Sequence, residues 1–537
     1  MPPMPHHLIL KGLNKMYTNY NMNQLTLDLS TSFSPKENHV AVFIHELVEA
    51  LQINDPYLFG RPREYDLGAM LKLVLFAYTR STFTSRKIER LAEENLYARW
   101  LTQERVPTYR TIARFCVSND VQELTNKGLD QLTEYLRARN LIDDALFIDG
   151  TKILADANKY SFVWKKNTIR FDQMNREKLL TIMTELREAY ALKQIPEGTT
   201  LTVDMIDELL TRMELRLEEL EKEVEATKRL SPNPAKQQRR TLKSQVRKLN
   251  TKREKLLEHQ TQFSTYGARN SYSKTDHDAT FMRVKEDPMK NGQLKPAYNL
   301  QIATCNQFVL GYDVFQNPTD TKTLKPLLEK MKIAQKSPHY LVADAGYGSE
   351  SNYRYIEDEL PQHTALIPYG TMFKEQSKKW QTDDRKVMNW DYEPKEDFYI
   401  DPKGVRFNFH AYRQRTDADG FVRDFKEYQA EKTDANQALI PEALTPKGNR
   451  RKITVNPSWE YHKEKQKERL LTPEIQKIYG RRKIDVETVF GFMKACLGFT
   501  RYTVRGLEKV RKQTGLLITA INMMKLTKIG TRTTQNE

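Results

Sequence analysis

Three acidic residues stand where a metal-assisted chemistry on phosphates would need them. Asp149 closes the apolar, β-rich run LIDDALFID and is followed by glycine; Asp344 closes HYLVAD before the turn AGYG; Glu487 sits in the helical RRKIDVETVFGFMK. The ends of buried strands are where α/β proteins present side chains to ligands. Helical spacing puts Lys483, four residues before Glu487, and Lys494, seven after it, on the same face. Inward carboxylates from two strands and a helix suit hard, oxygen-seeking cations such as Mg²⁺, which keep open positions for phosphate oxygens and water. Two such ions ~4 Å apart would activate a nucleophile and stabilise the leaving oxygen of an in-line phosphoryl transfer. Singly, each acid has a plainer account. Asp-Gly and Asp-x-Gly are turn chemistry, and Glu487 can pair with Lys483 on a solvated helix.

The charge balance points to a polyanion partner. The chain of 537 residues carries 86 Lys+Arg against 70 Asp+Glu, a net +16. Pro441 to Glu537 holds 21 Lys+Arg and 9 Asp+Glu, so +12 of that excess lies around and after Glu487. Localised cations attract polyanions because each neutralised phosphate releases condensed counterions. With 39% hydrophobic and 29% charged residues the composition excludes a disordered chain. Cys116, Cys305 and Cys496 form no CxxC or CxxH pair, which excludes a disulfide scaffold and a cysteine zinc site. The longest apolar run, Gly515–Leu526, is well short of the ~20 residues a membrane span requires. The opening MPPMPHHLILKGLNK lacks the pattern of a signal peptide, so a reducing, cytoplasmic location is expected.

The elements that must position these residues can be read in outline. Apolar residues at helical spacing over 40–55 and 66–80 are followed by two helices, SRKIERLAEENLYARWL, capped by Ser85, and TYRTIARFCV, capped by Thr108. With Arg86, Lys87, Arg110 and Arg114 exposed they fit a helix-turn-helix-like DNA reader, and equally an ordinary helical bundle. The pattern then switches to a strand over 141–155. Ile206, Leu210, Met213, Leu217, Leu220 and Val224 form a coiled-coil seam. Leu242, Val246, Leu249 and Leu256 resume it after Ser231-Pro-Asn-Pro234, predicting an antiparallel helical hairpin. Two strands flank a Cys305-Asn306 turn in 297–316, a helix follows over 322–336, and short strands end at Asp344 and within 363–370. Residues 371–455 read as a polar, irregular insertion with short β-like pieces such as FYIDPKGVRFNFHAYRQR, and helices over 482–497 and 507–528 close the chain. Asp320 reads as a cap for the helix after NPT, with a place near the metals as the alternative. Asp276, His277 and Asp278 read as a polar loop, and Trp164, Trp380 and Trp390 as packing residues.

Taken together, these segments resemble the DDE transposases of bacterial insertion sequences. GRPREYDLGAMLKLVLFAYTRSTFTSRKIERLAEENLYARWLTQERVPTYRTIARF is similar to the helical N-terminal domain of that group. LFIDGTKILADANKYSFVWKK, TDHDATFMR, AYNLQIAT, NPTDTKTL, VADAGYGSESNY and RRKIDVETVFGFMKACLGFTRYTVRGLEKV look like its catalytic blocks, in the family's order. The resemblance implies an α/β, RNase H-like catalytic domain over 140–170, 265–370 and 456–530. It also implies an all-α DNA-binding domain over 1–135, a helical hairpin insertion over 171–264 and a second insertion over 371–455. Asp149, Asp344 and Glu487 would be catalytic and bind two Mg²⁺ ions, with Mn²⁺ as a substitute. Arg86, Lys87, Arg110, Arg114, Arg482, Lys483, Lys494, Arg501 and Arg505 would contact DNA. The implied partners are double-stranded DNA, as terminal repeats and target, and a second copy of the chain, in a nucleoid-associated setting without membrane. The implied activity is cleavage at the element's ends and joining of 3′-hydroxyls to target DNA. A transposase-derived binder without cleavage, and a metal-dependent nuclease without joining, remain as alternatives.

Two departures stand out. The family spaces Tyr, Arg, Glu and Lys with two, three and six intervening residues. Here Glu487 and Lys494 fit, but Tyr479 and Arg482 lie one residue early and Lys483 occupies the arginine register. Relatives often carry a cysteine cluster in the second insertion, whereas this chain has no cysteine from 306 to 495, so no zinc is expected.

Overall fold

The computed structural model describes residues 33–53, 64–187, 201–227, 232–284, 292–333, 338–433 and 438–536. The opening MPPMPHHLILKGLNK, the Gly60–Arg63 start of the N-terminal block and Ser231 of the proline turn lie outside these residues.

The first helices are α1 (Val40–Ala50), α2 (Leu67–Thr79), α3 (Ser85–Glu94), α4 (Leu96–Leu101), α5 (Tyr109–Cys116) and α6 (Asn119–Ala138). Their starts follow capping chemistry. Asp66 Oδ2 accepts from Ala69 N at 2.9 Å and Thr108 Oγ1 from Thr111 N at 3.4 Å, satisfying amides that have no intrahelical partner. Ser85 is not a cap: Thr84 holds that position, without a side-chain hydrogen bond, and Ser85 opens the helix.

The chain then forms β1 (Ala145–Leu154), β2 (Phe162–Trp164), α7 (Lys165–Arg187), α8 (Val203–Ala226), α9 (Pro234–Tyr266), β3 (Ser271–Ser273), β4 (Thr280–Arg283), β5 (Leu294–Cys305) and β6 (Phe308–Phe315). There follow α10 (Leu324–Lys330), β7 (Tyr340–Ala343), α11 (Glu350–Glu359) and β8 (Thr364–Leu366). The main sheet runs β4-β5-β1-β7-β8, with β6 also on β5. β6, β5 and β1 are antiparallel neighbours, while β7 and β8 lie parallel to β1. Asn306 and Gln307 take positive φ, 49° and 65°, in the tight turn that joins β5 to β6. Alternation along β1 sends Phe147 and Ile153 into one core and Leu146 and Ile148 into another, so the sheet is covered on both faces.

The first insertion holds three helices. α8 and α9 are the two arms expected from the seam, joined through Leu209, Met213, Leu220, Leu242, Leu249 and Leu256, all buried. The third is α7, which adds Leu179 and Met183 to the same core. The mixed polarity of KKNTIRFDQMNREKLLTIMTELR hides its narrow apolar face.

The second insertion is not irregular. After α12 (Met372–Glu375) and α13 (Lys378–Gln381) it forms β9 (Asp391–Glu393), β10 (Phe398–Ile400), β11 (Arg406–Thr416), β12 (Val422–Ala430) and β13 (Lys452–Val455), an antiparallel five-stranded sheet in chain order. Trp390, Val405, Phe407 and Tyr428 form its small core, with Arg451 paired to buried Asp401 at 2.7 Å. β11 is mostly exposed and β12 mostly half-buried, with Phe407, Tyr428 and Ala430 as their buried residues.

The last elements are α14 (Pro457–Leu471), α15 (Pro473–Gly480), α16 (Thr488–Gly491) and α17 (Leu507–Asn536). π-helical turns over Lys483–Glu487 and Phe492–Cys496 flank α16, in place of the single α-helix expected over 482–497. α17 packs against the N-terminal helices. Leu516, Leu517, Ile518 and Ala520 share one core with Ile44, Phe76, Leu132 and the sheet residues Phe147 and Leu300. Phe83 meets Phe499 edge-on at 5.0 Å. Buried Lys512 donates to Val117 O at 3.1 Å and Asn119 Oδ1 at 2.8 Å. Each large apolar side chain so buried contributes about 1.5–3 kcal/mol.

Two glycines probe this packing. A Cβ on Gly348 would lie 2.4 Å from Pro368 O, whereas one on Gly491 would meet nothing within 4 Å. Gly348→Ala should destabilise the fold by about 1–3 kcal/mol through backbone overpacking. Gly491→Ala, in a helix, should stabilise it by about 0.5–1 kcal/mol. Urea unfolding of the two variants against the parent checks both signs.

Candidate active site

The strand-end aspartates sit where parallel pairing stops. The last β1–β7 pair is Ile148 with Ala343, so Asp149 and Asp344 are each the first residue beyond it, although β1 continues against β5 to Leu154. Asp149 is therefore inside a strand that has lost one neighbour, rather than at a strand end. Its Oδ1 accepts from Gly150 N at 2.8 Å, and Asp344 Oδ1 accepts from Gly346 N at 2.8 Å. Gly150 is required by contact. A Cβ there would lie 2.1 Å from Gln301 Nε2 and 3.0 Å from Asp320 Oδ1.

Glu487 arrives from the other side through the first π-helical turn. Buried Asp485 anchors that turn by accepting from Gln307 N at 3.0 Å, and Val486 is in the core. Burial raises the carboxyl pKa of Asp485 above the usual range. Two residues on, Glu487 is more than half exposed. Between the acids stands Arg482, with Nη1 3.2 Å from Asp149 Oδ2 and Nη2 3.7 Å from Glu487 Oε1. Arg482 is five residues before Glu487. On an α-helix that separation is roughly 140° of rotation, whereas i to i+5 is the repeat of a π turn.

The π turn corrects the register read from the sequence. The extra residue it accommodates turns Arg482 into the site and leaves Lys483 exposed on the surface. The one-residue departure in spacing is the signal of that turn. Tyr479 follows Arg482 inward. Burial raises its phenol pKa, and Arg482, Asp344 and Asp149 act on it electrostatically.

Asp320 also differs from expectation. Its backbone carbonyl, not its carboxylate, accepts from Thr323 N and Oγ1. The carboxylate accepts from Asn299 Nδ2 at 2.7 Å, Gln301 Nε2 at 3.0 Å and Lys152 Nζ at 3.3 Å. Buried Tyr347 donates to Gln301 Oε1, which ties this network to the turn after Asp344. Burial, then the charges of Asp320, Asp149 and Asp344, hold the Tyr347 hydroxyl far above its usual pKa. No pattern in the sequence singles out Gln301 or Tyr347, because their roles follow from cross-strand register.

The basic residues divide by position. Lys494 reaches β1, its Nζ 3.4 Å from Lys152 O. Thr500 and Tyr502 bond to Leu154, so exposed Arg501 lies beside the far end of β1, and Arg505 Nε pairs with Asp156 Oδ2 at 2.9 Å. In the N-terminal helices Arg86, Lys87, Arg110 and Arg114 are all exposed. The Arg86 and Arg110 guanidinium groups lie 5.1 and 5.8 Å from the Tyr109 ring centre. The groove they line shares Thr84, Ser85 and Ala113 with a second groove reaching Arg505 and Lys509. Asp276 and Asp278 do not face the acids. They accept from Gly506 N and Leu507 N and so cap α17.

Among the described residues no three His, Cys, Asp or Glu side chains stand together at metal-binding spacing. Arg482 separates Asp149 from Glu487 instead. The donors are nevertheless carboxylates of the type that Mg²⁺ takes, with a bridging cation already between two of them.

Two family comparisons bear on this arrangement. Residues 269–523 match the Transposase DDE domain, and residues 30–118 match the Transposase domain DUF772. The chain belongs to the DDE transposases of insertion sequences. Asp344 and Glu487 fall inside the first match; Asp149 and the three-helix insertion lie between the two. No curated protein and no solved structure matches the chain. No helix among the described residues is long and apolar enough to cross a membrane.

The Arg482 contact makes a direct prediction. Arg482→Gln should destabilise the metal-free protein by about 1–2 kcal/mol, since both partners of the Asp149 pair are largely buried. Lys483→Gln should change stability by less than about 0.5 kcal/mol. Millimolar Mg²⁺ should raise the melting temperature of Arg482→Gln more than that of the parent, because the freed acids gain a ligand bound only in the folded state. Thermal scans with and without Mg²⁺ test this.

Proposed function

We propose that this transposase binds the terminal repeats of its element, cuts at their ends and joins the 3′-hydroxyls to target DNA. The observation that carries the reading is Arg482, within 3.2 Å of the strand acid Asp149 and 3.7 Å of the helix acid Glu487. Residues far apart in the chain thus meet at one cationic point beside Asp344. The sheet order, three antiparallel strands followed by two parallel to the first, supports an RNase H-like catalytic domain.

Asp149, Asp344 and Glu487 would hold two Mg²⁺ ions, or Mn²⁺ in their place, which when bound supply activation of the attacking oxygen and stabilisation of the leaving one. The chain's own residues position the rest. β5 pairs with β1 on both sides of Asp149, so that carboxylate is preorganised, while exposed Glu487 is free to adjust as it exchanges Arg482 for another cation. Lys483, Lys494, Arg501 and Arg505 bind phosphates along the edge of β1 and hold the scissile bond against the acids. Arg86, Lys87, Arg110 and Arg114 contact the element's ends. The neighbouring grooves let one DNA segment run from those helices toward Arg505. Two ends must be paired, so at least a dimer acts.

Asp149→Asn, Asp344→Asn and Glu487→Gln should each lower Mg²⁺-dependent cleavage of DNA carrying the element's ends at least ~10³-fold, with DNA binding little changed. Parent protein that binds these ends and never cuts them overturns the catalytic reading, and cleavage without joined products reduces it to a nuclease. In binding assays, Arg110→Ala should weaken discrimination between end and unrelated DNA. Arg501→Ala should weaken both equally and lower the salt slope by about one.

A further inference from the structure

The three-helix insertion lies outside both matched transposase segments, so nothing in the family assignment accounts for its surface. Its two long arms carry opposite charge. α8 has nine Asp+Glu against three Lys+Arg, and α9 has nine Lys+Arg against two Glu. Four acids of α8 are already neutralised within the insertion: Arg212 pairs with Glu208, Arg216 with Glu219 and Glu223, and Arg253 of α9 with Asp207.

The basic arm is not neutralised in this way. Lys236, Arg240, Lys243 and Arg247 are exposed and form no ion pair with a described residue. Their spacing of four, three and four places them on one face of the helix, turned from the buried Leu242, Leu249 and Leu256. The stripe spans roughly 16 Å of helix at 1.5 Å per residue. Beyond Arg247 the same face carries Thr251, Glu254 and Glu258, so the stripe ends there. On the packed side of α9 the Lys252 pKa is lowered, first by burial and then by Lys178 of α7 and Lys255.

We propose that this outer face of α9 is a second DNA-contact surface, which takes the phosphate backbone of a duplex without reading its sequence. The observations favour DNA over the acidic arm of a second copy, because four of the nine acids of α8 already have arginine partners within the insertion, while the stripe has none among the described residues. The proposal rests on the reading of the chain as a DNA-acting protein only for the identity of the polyanion. A helix that offers side-chain cations alone, with no aromatic or amide groups in the stripe, supplies affinity and not specificity.

The test uses the full chain with Lys236, Arg240, Lys243 and Arg247 all changed to Gln, and an unrelated duplex of about 40 base pairs as probe. Circular dichroism and the melting temperature verify that the helices remain. If all four cations meet phosphates, the slope of log affinity against log salt falls by about 3–4 and binding at about 0.1 M salt weakens at least ~10-fold. A charge-keeping variant, Lys236→Arg with Lys243→Arg, keeps parental binding. An unchanged slope overturns the proposal, as does a variant that changes only the oligomer size seen by light scattering, which would assign the stripe to contact between copies. Parallel cleavage assays of Asp149→Asn keep the two readings separable: the stripe can fail while catalysis at the acids stands, and the reverse.

Discussion

Carboxylates gathered at one edge of a sheet repel one another, and the arrangement is tolerable only with a cation among them. In this protein that cation is Arg482, and much of the surrounding structure serves to place it. The π-helical turn over Lys483–Glu487 brings a side chain five residues upstream onto the face of Glu487. The turn is fixed in depth by Asp485 on the β5–β6 hairpin and in rotation by Val486 in the core. An arginine pre-set between two acids keeps their charges from driving the edge apart, at the expense of an interaction that any other cation must displace.

The second dependence is of the two ends of the chain on each other. The helices from Val40 to Ala138 do not close a core alone; α17 supplies Leu516, Leu517 and Ile518, and the sheet supplies its outer face. The cationic residues of the N-terminal helices and of the segment around Arg505 therefore have a fixed relation, set by apolar packing and the Lys512 bonds rather than by a linker. By contrast the three-helix insertion and the five-stranded one each have a separate core, so each can differ in its surface without disturbing the sheet.

What the sequence discloses follows from the range of the interactions involved. Local signals are readable: the Thr108 cap, the turn after Cys305, one residue later than read and made by Asn306 and Gln307, the seam of α8 and α9, and the short apolar strand before Asp344. Asp149 and Asp344 are conspicuous because each follows a short apolar strand run. Ser85 reads wrongly as a cap because Thr84 beside it is an equally good one. In the second insertion the sequence shows β-like pieces such as RFNFHA, but not that they pair into one five-stranded sheet, because its small core leaves only a few buried apolar positions per strand. Asp320 misleads because its backbone caps the helix while its side chain answers to Asn299, Gln301 and Lys152, which only strand register brings near. The shift from Lys483 to Arg482 is present as an anomaly of one residue, legible as a π turn only once the partner strand shows what Arg482 reaches.

The shared core also orders events during synthesis. A ribosome delivers the N-terminal helices first, yet α1 and α4 cover only part of the apolar surface of α2, and α17 supplies the rest more than four hundred residues later. Arg482 and Glu487 come almost as late. The core shared by the N-terminal helices and α17 thus closes only after both have been made, and the arginine between the acids arrives with the same late segment.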